Sequence, residues 1–431
     1  MKLIKPIRPG PVQRARFLIA NKSRAYWLAA ALIVAVSVVL TPYAEQAVGL
    51  RYTFFHILTA IDPRKPQPNR TAIVFIDELT YRKMARIPLP RDHLTAVLKA
   101  LDDNSIELVA LDFNLMAADY SAPLQVGNFG PVGSGYRHET DEFVREIISF
   151  AEHHQIVLGK MLWATGPESD QTIRSLLDAY QPYGICVKPL ANGAWTNPGT
   201  ASFYISPAAA THIRCGYLNA PKDMRQLPTP LPVGNGFPID SFSMAIVRAV
   251  DPGALANIKD GTIFSGYFRE RAILDQKTFT TSQLIDPRQR GVIWNDLGHR
   301  IVIVGGHWKT GPGDNDFVDM SETPLGSVSG TIIHQNYVEA VLDHRLYNSF
   351  GGSILEVLFA AAAAFVFAAY PNLWVKFGLL SAGVAGLLLF QWLVFYLFYF
   401  FFDASLPVIG LGVHSIAERL LEPRHEAEVV P

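Results

Sequence analysis

Three short stretches of this chain place acidic, basic or glycine residues directly after apolar, β-favouring runs. Ile76-Asp77-Glu78 closes the run that starts at Thr71, and Pro88-Leu89-Pro90-Arg91 follows it. Leu111-Asp112-Phe113 closes a second run. Gly305-Gly306-His307 closes a third, with Gly311-Pro312-Gly313-Asp314 soon after. Open α/β sheets gather ligands at the carboxyl ends of their strands. On that logic Asp77, Glu78, Arg91, Asp112, Gly305, Gly306, His307 and Asp314 are candidate ligand-binding residues. Asp77 and Asp112 are expected on neighbouring strand ends. Two carboxylates there could hold a cation, grip a polar ligand, or cap helix N-termini by accepting backbone N–H bonds. Arg91 falls in a first helical turn and could pair with either, although the Pro-x-Pro-Arg entry sets the backbone direction whatever the arginine does. The Gly305-Gly306 turn would let a ligand come close to the backbone.

Several chemistries lack their patterns. The glycines do not form G-x-G-x-x-G, which argues against dinucleotide binding. His307, His334 and Asp314 fall on separate elements without metal-ligand spacing, so no metal site is expected. No G-x-S-x-G or H-E-x-x-H occurs, so no enzyme and no cofactor is expected. A hydrolase working through the Asp77 and Asp112 carboxylates is an alternative. His334 and Tyr337, three apart on one helix, read equally as a packed stripe or a binding face.

The elements that must position these residues alternate. Thr71 to Asp77 is a predicted strand, and Pro90-Arg91-Asp92 opens a helix with Leu94, Val97, Leu98 and Leu101 on one face. Leu108 to Leu115 is a second strand, Asp141 to His153 a helix, and Gln155 to Leu162 a third strand. This β-α-β-α-β order predicts an α/β fold with a mixed or mostly parallel sheet covered by helices. Gly166 to Leu231 is rich in Pro, Gly and Asn, with short strands at Ser202 to Ile205 and Gly216 to Asn219, and reads as an elaboration on the sheet. Ile239 to Val250 and Val328 to Leu342 are helices, and His299 to Gly306 is a strand.

At 49% hydrophobic and 17% charged the chain is too apolar for an ordinary soluble protein and too polar for an all-membrane transporter. The apolar residues collect at the ends. Residues 25–44 form a run of about the 20 residues that a membrane helix needs; the alternative is a cleaved signal peptide. The preceding residues 1–24 hold Lys2, Lys5, Arg8, Arg14, Arg16, Lys22 and Arg24 and no acid, which keeps the N-terminus cytoplasmic. Residues 45–350 would then be periplasmic. Residues 351–418 divide into about three spans, Ser353 to Ala369, Trp374 to Tyr396 and Phe398 to Ala417, returning the tail 419–431 to the cytoplasm. Alternatively, Trp374 to Phe402 is one long tilted helix. A net charge of −1 without a further basic patch argues against nucleic acid. The two cysteines, Cys186 and Cys215, fall in the periplasmic part. They could close a loop of about thirty residues in an oxidising compartment or remain two buried thiols.

Taken in order, several of these pieces resemble the CHASE type 2 sensory domain family, an extracellular module associated with cyclases and histidine kinases. They are Ile76-Asp77-Glu78 with Thr80, Pro88 to Arg91, Val109 to Asp112, Asp223 to Pro228, Ile301 to Asp314, Thr323 to Gly326 and Gly330 to Leu346. One membrane helix before them and about three after also fit the family. Ile87 and Leu89 depart from its frequent tryptophans, and the Asp223 motif lacks its usual glycine. The resemblance implies an inner-membrane, receptor-like protein of a bacterium. Its periplasmic domain would detect a small-molecule ligand or an envelope state and signal through the bilayer. Members usually continue into a catalytic output domain; only a short tail follows the last span here, so a separately encoded membrane or cytoplasmic effector is expected. A membrane-anchored scaffold of an envelope complex is the alternative, and a homo-oligomer is compatible with either.

Overall fold

A computed structural model of the chain describes residues 55, 57–59, 61–62, 69–84, 86–87, 89–102, 105–113, 124–126, 131–132, 135–160, 194–196, 202–219, 227–228, 230–232, 238–256, 258, 263–265, 277–310, 318–323, 326–350 and 373–402. They fall into two units. One lies within Lys65–Leu346, the other within Met1–Arg64 together with Tyr347–Pro431.

The larger unit is built on a six-stranded sheet. Its strands are β1 (Thr71–Asp77), β2 (Leu108–Leu111), β3 (Gln155–Lys160), β4 (Ile213–Tyr217), β5 (Thr278–Thr280) and β6 (Ile301–His307). Their spatial order is β5-β1-β6-β2-β3-β4, and every pairing is parallel. Parallel strands buried on both faces read as continuous apolar runs; Ala72 to Ile76 and Ile301 to Val304 are such runs, all essentially without solvent contact. The chain lays down β1, β2, β3 and β4 outward in one direction. It then returns to the far edge for β5 and inserts β6 between β1 and β2.

Helices cover both faces. On one lie α2 (Arg91–Asp102), α3 (Gly135–Ala151), α5 (Thr281–Ile285) and α6 (Pro287–Leu297), whose Leu94, Leu98, Phe143, Leu284 and Leu297 pack against Val109, Leu111, Val302 and Val304. The other face carries α4 (Phe242–Val250) and α7 (Gly330–Leu342), with Phe242, Ile246, Ile333 and Val338 against Ile73, Ala110, Ile303 and Val157. Local chemistry starts the helices where it should. Ser241 caps α4, Thr280 and Gln283 form a capping box on α5, and Asp286 with Pro287 opens α6. A short helix not expected from the sequence, α1 (Glu78–Met84), follows β1 directly.

Many boundaries shift by a residue or two from the sequence reading; α3 starts at Gly135, six residues before the expected Asp141, and β4 spans Ile213–Tyr217 where Gly216 to Asn219 was expected. Two shifts have clear causes. Residues Gly326–Ser329 form strand β8, antiparallel to β7 (Met320–Thr323), so α7 begins at Gly330 and not at Val328. His299 takes a left-handed φ of 57°, so the strand after it starts at Ile301.

Two glycines decide how closely the second helical layer approaches. A Cβ on Gly305 would lie 2.0 Å from Thr331 Oγ1 of α7, and one on Gly216 would lie 2.5 Å from the Phe242 Cα of α4. Both helices reach the sheet only because these positions lack a side chain.

The second unit is organised by α8 (Leu373–Phe398), followed by β10 (Phe400–Phe402), which pairs in parallel with β9 (Leu346–Phe350) at Asn348 to Phe350. Among the described residues α8 is the one helix long and apolar enough to cross a membrane. It exposes Trp374, Leu389, Phe390, Leu397 and Phe398, more contiguous apolar surface than a helix facing water normally shows. It contains the expected span Trp374 to Tyr396. The expectation of a third span from Phe398 is corrected at its start: Tyr399 turns the chain with φ 52°, and Phe400–Phe402 form a strand. The same turn excludes one helix from Trp374 to Phe402. An αL residue ends a helix because it turns the next peptide out of the i→i−4 ladder. The expected spans 25–44 and Ser353 to Ala369, and residues from Asp403 on, lie outside the described residues.

Replacing Gly305 by alanine is expected to push α7 off β6 and destabilise the protein by about 1–3 kcal/mol, as overfilled cores do. Denaturant unfolding of the purified full chain measures it; an unchanged midpoint would show that the approach can relax.

Candidate functional site

The carboxyl edge of the sheet around β6 is where the chain changes direction. Connections from β1 and β2 lead to the α2–α3 face, while β6 leads to α7 on the opposite face. This is the kind of switch point at which α/β folds form ligand crevices.

A buried polar cluster fills the position between β2, β6 and α7. Asp112 follows β2 and is anchored by its own N–H, which donates to the Val304 carbonyl at 2.8 Å. Its Oδ2 accepts from Thr331 Oγ1 at 2.6 Å, and its Oδ1 lies 3.9 Å from His334 Nε2. His334 is buried; Ser243 Oγ of α4 stands 3.0 Å from its Nδ1, and its ring also bonds the Leu218 backbone. Asp319 completes the group from the turn before β7. It has φ 51°, and its carbonyl accepts from the Gly330 N–H at 2.8 Å. As a residue Asp319 keeps contact with solvent, yet its carboxylate turns inward: a Cβ at position 330 would fall 1.9 Å from its Oδ2. The missing side chain of Gly330 makes that room.

Burial dominates the electrostatics. It raises the Asp112 carboxyl to about 6, against the pull of the Thr331 hydrogen bond. Asp319 is also raised to about 6, first by burial and then by the charge of Asp112, with His334 acting the other way. Burial drives His334 down to about 4. Two carboxylates therefore hold protons more tightly than usual, beside an imidazole that stays neutral.

Ser243, His334 and Asp112 form a Ser-His-Asp succession, but not one arranged for acyl transfer. The serine side chain is buried away from any substrate, and the His–Asp separation exceeds hydrogen-bond length. Among the described residues no group of three or more His, Cys, Asp or Glu is placed to hold a metal ion.

The residues singled out from the sequence scatter over this edge. Asp77 and Asp112 are not on neighbouring strands. β6 lies between β1 and β2, with Asp77 beside His307 in register. Asp77 caps α1, accepting from the Thr80 N–H at 3.2 Å. Glu78 accepts from the Lys309 N–H at 2.5 Å and from Arg82, and the first of these bonds holds its carboxyl below the usual range. The Arg91 guanidinium lies 5.9 Å from the Phe143 ring centroid, in the layer opposite α7. The space over Gly305 is taken by Thr331, and that over Gly306 by the Trp308 ring, which stacks on Tyr81. His307 lies against the Phe75 ring. Cys215 on β4 is disulfide-bonded; Cys186, the other cysteine of the chain, lies outside the described residues, as does Asp314. Asp112 and Gly305 thus share one cluster. Thr331, Asp319 and Ser243 carry no motif in the sequence, and His334 stands out there only beside His307 and Asp314 as a scattered metal set, or with Tyr337 as a packed stripe or binding face. Gly330 directly before Thr331 was the available signal, a glycine at a helix start where another group needs the space.

A second grouping lies in the other unit. Phe55, Tyr347, Phe395 and Phe401 are all buried. Phe55 meets the other three rings edge-on at centroid distances of 5.2–5.8 Å, while Tyr347 stacks on Phe395 at 4.2 Å. The Tyr347 hydroxyl donates to Asp62 at 3.2 Å. Residues before the sheet unit, residues after it and the end of α8 therefore meet in one aromatic cluster.

The CHASE2 domain model matches residues 29–369, most of the chain. The chain belongs to the CHASE2 domain family. CHASE2 is a family of extracellular sensory domains, which gives the chain a sensory role. The match runs beyond the sheet unit into the apolar segments on either side. No curated protein and no solved structure matches the chain.

The titrations set the sign of a pH dependence. The raised carboxyls give stability that is fully present below their unfolded values near 3.8 and is lost as pH rises through about 6. His334 gives stability present above 6.5 and lost as pH falls through about 4. Two groups oppose one, so acidification from 6.5 to 4 should stabilise the folded unit with net uptake of about one proton. Asp112→Asn should flatten that slope. Denaturant unfolding of the full chain at stepped pH, followed by tryptophan fluorescence, measures both; an equal slope in the variant would mean that Asp112 titrates normally.

Proposed function

We propose that this CHASE2 protein is a multi-pass receptor of the bacterial inner membrane. Its sheet unit lies in the periplasm and detects a ligand or an envelope state. The response passes through the membrane helices to a separately encoded effector. In this reading 25–44 is the first span, α8 is one of the later ones, and both termini are cytoplasmic. The protein performs no reaction of its own, uses no cofactor and binds no nucleic acid.

One observation supports this reading most directly. The aromatic cluster joins Phe55 and Asp62 on the entering segment to Tyr347 on the leaving segment and to Phe395 on α8. A sensory unit can act on a membrane helix only through the segments that connect them. Here both connections bear on the same end of the same helix. Aromatic pairs with edge-on and offset geometry resist sliding past one another, so displacement of either connection is felt by α8.

Reporter fusions test the topology. Alkaline phosphatase fused at residue 200 should be active and green fluorescent protein fused at residues 24 and 425 should fluoresce; the reverse pattern overturns it. The coupling is tested with Tyr347→Ala in the full chain. Its sheet unit should unfold at the natural denaturant midpoint, while cysteine cross-linking between spans, made sensitive to stimulus in the natural chain, becomes insensitive. Cross-linking that responds equally in both chains would show that the cluster carries nothing, and cross-linking that no stimulus alters in the natural chain would favour a static scaffold.

A further inference from the structure

We infer that the proton is itself a ligand of the sensory unit, bound by Asp112 and Asp319 beside His334, between the carboxyl ends of β2 and β6 and the first turns of α7. The inference rests on the sensory reading above and names what the same site would sense.

The geometry carries it. Asp112 is fixed at both ends, its backbone to Val304 and its carboxylate to Thr331. Asp319 is held against the same turn of α7, in the space that Gly330 leaves. The first turn of α7 therefore stands between two carboxylates. The titratable groups that face one another here are Asp112 after β2, Asp319 before β7 and His334 on α7. From α4 the cluster receives the Ser243 hydroxyl and from the segment after β4 the Leu218 backbone, neither of them charged. His334 stays neutral over the range in which the carboxyls titrate and supplies no balancing charge.

Protonated, neither acid places a charge at this turn; ionisation of both sets two like charges about the same turn of α7, one of them on the buried Asp112. One carboxylate must then leave, and the two differ in how firmly they are held. Asp112 is locked by strand and helix. Asp319 touches solvent and occupies a left-handed turn. Above the titration Asp319 swings out, the bond from Gly330 N–H to its carbonyl is lost, and the β7–β8 hairpin loosens with the start of α7. Asp343 to Arg345 are the three residues between the end of α7 and β9, so a shift of this helix is passed on along the chain within one turn.

Hydrogen exchange tests this on the full chain in lipid nanodiscs, with rates corrected for intrinsic pH dependence. Peptides covering residues 318–334 should lose protection as pH rises from 5 to 8. The loss should be steep below about 6 and level off above it, the opening equilibrium changing by about tenfold per pH unit for each proton released on the steep part. Asp112→Asn and Asp319→Asn should each weaken the transition, because each removes one of the two raised carboxyls while burial still acts on the other. Thr331→Val removes the hydrogen bond that favours ionised Asp112 and should move the levelling-off to higher pH. Peptides from β1 and β6 report whether each variant is folded. If an asparagine variant does not fold, the direction of the Thr331→Val shift decides. Constant protection from pH 5 to 8 in the natural chain overturns the proposal, as does an identical transition in all variants. Either outcome leaves the topology fusions untouched, so the receptor reading stands or falls separately.

Discussion

The close approach of α7 to β6 is the constraint from which the carboxyl edge of the sheet follows. Gly305 carries no side chain, so Thr331 fills the space over it and its hydroxyl reaches Asp112. That contact places His334 one turn further along, within reach of Ser243. Gly330, one residue before Thr331, admits the Asp319 carboxylate. A single methyl group at position 305 would disturb every one of these relations. The glycine pair near the end of β6 therefore serves internal packing, where a glycine turn in an α/β sheet often serves a phosphate or a nucleotide.

The same helix is polar along much of its length yet almost wholly buried. His334, Gln335, Asn336 and Glu339 all lie inside. At its far end Glu339 accepts from both the N–H and the hydroxyl of Thr71, and Gln335 donates to the same hydroxyl. Buried polar groups need partners, and an orphaned one costs about 1–3 kcal/mol. The polar residues of α7 thus fix its register against β1 and β2 at both ends of the sheet. An apolar helix of similar volume could slide by a turn, but this one meets a mismatched donor or acceptor wherever it moves. Such register devices are a recognised use of buried polar residues.

Much of this was legible in the sequence, for physical reasons that also mark where reading stopped. The apolar runs Thr71 to Asp77 and Ile301 to Gly306 are strands because a strand buried on both faces admits little else. The α2 face of Leu94, Val97, Leu98 and Leu101 follows from helical periodicity alone. Pairing is another matter. Asp77 and Asp112 read as neighbours because β1 and β2 follow one another, and β6, nearly two hundred residues further on, separates them. Nothing local marks that insertion. Asp319 carries no spacing signal either; its role depends on a left-handed turn and on a glycine eleven residues away. The aromatic run after Phe395 read as membrane interface leading into a span, whereas the turn at Tyr399 sends Phe400–Phe402 into a strand.

The inserted strand also governs how this unit comes into being. β6 is central, yet it belongs to the last third of the chain, and its pairings with β1 and β2 join residues far apart in sequence. Such long-range closure is slow. Until the chain has been made as far as His307, β1 and β2 each present an edge of apolar residues with unpaired backbone groups, and edges of that kind recruit other chains. The early half of the molecule is therefore an incomplete template that must be kept from wrong partners while its middle strand is still being synthesised. Conditions that slow the arrival of residues 301–307 should trap the protein as aggregate rather than as a partly working sensor.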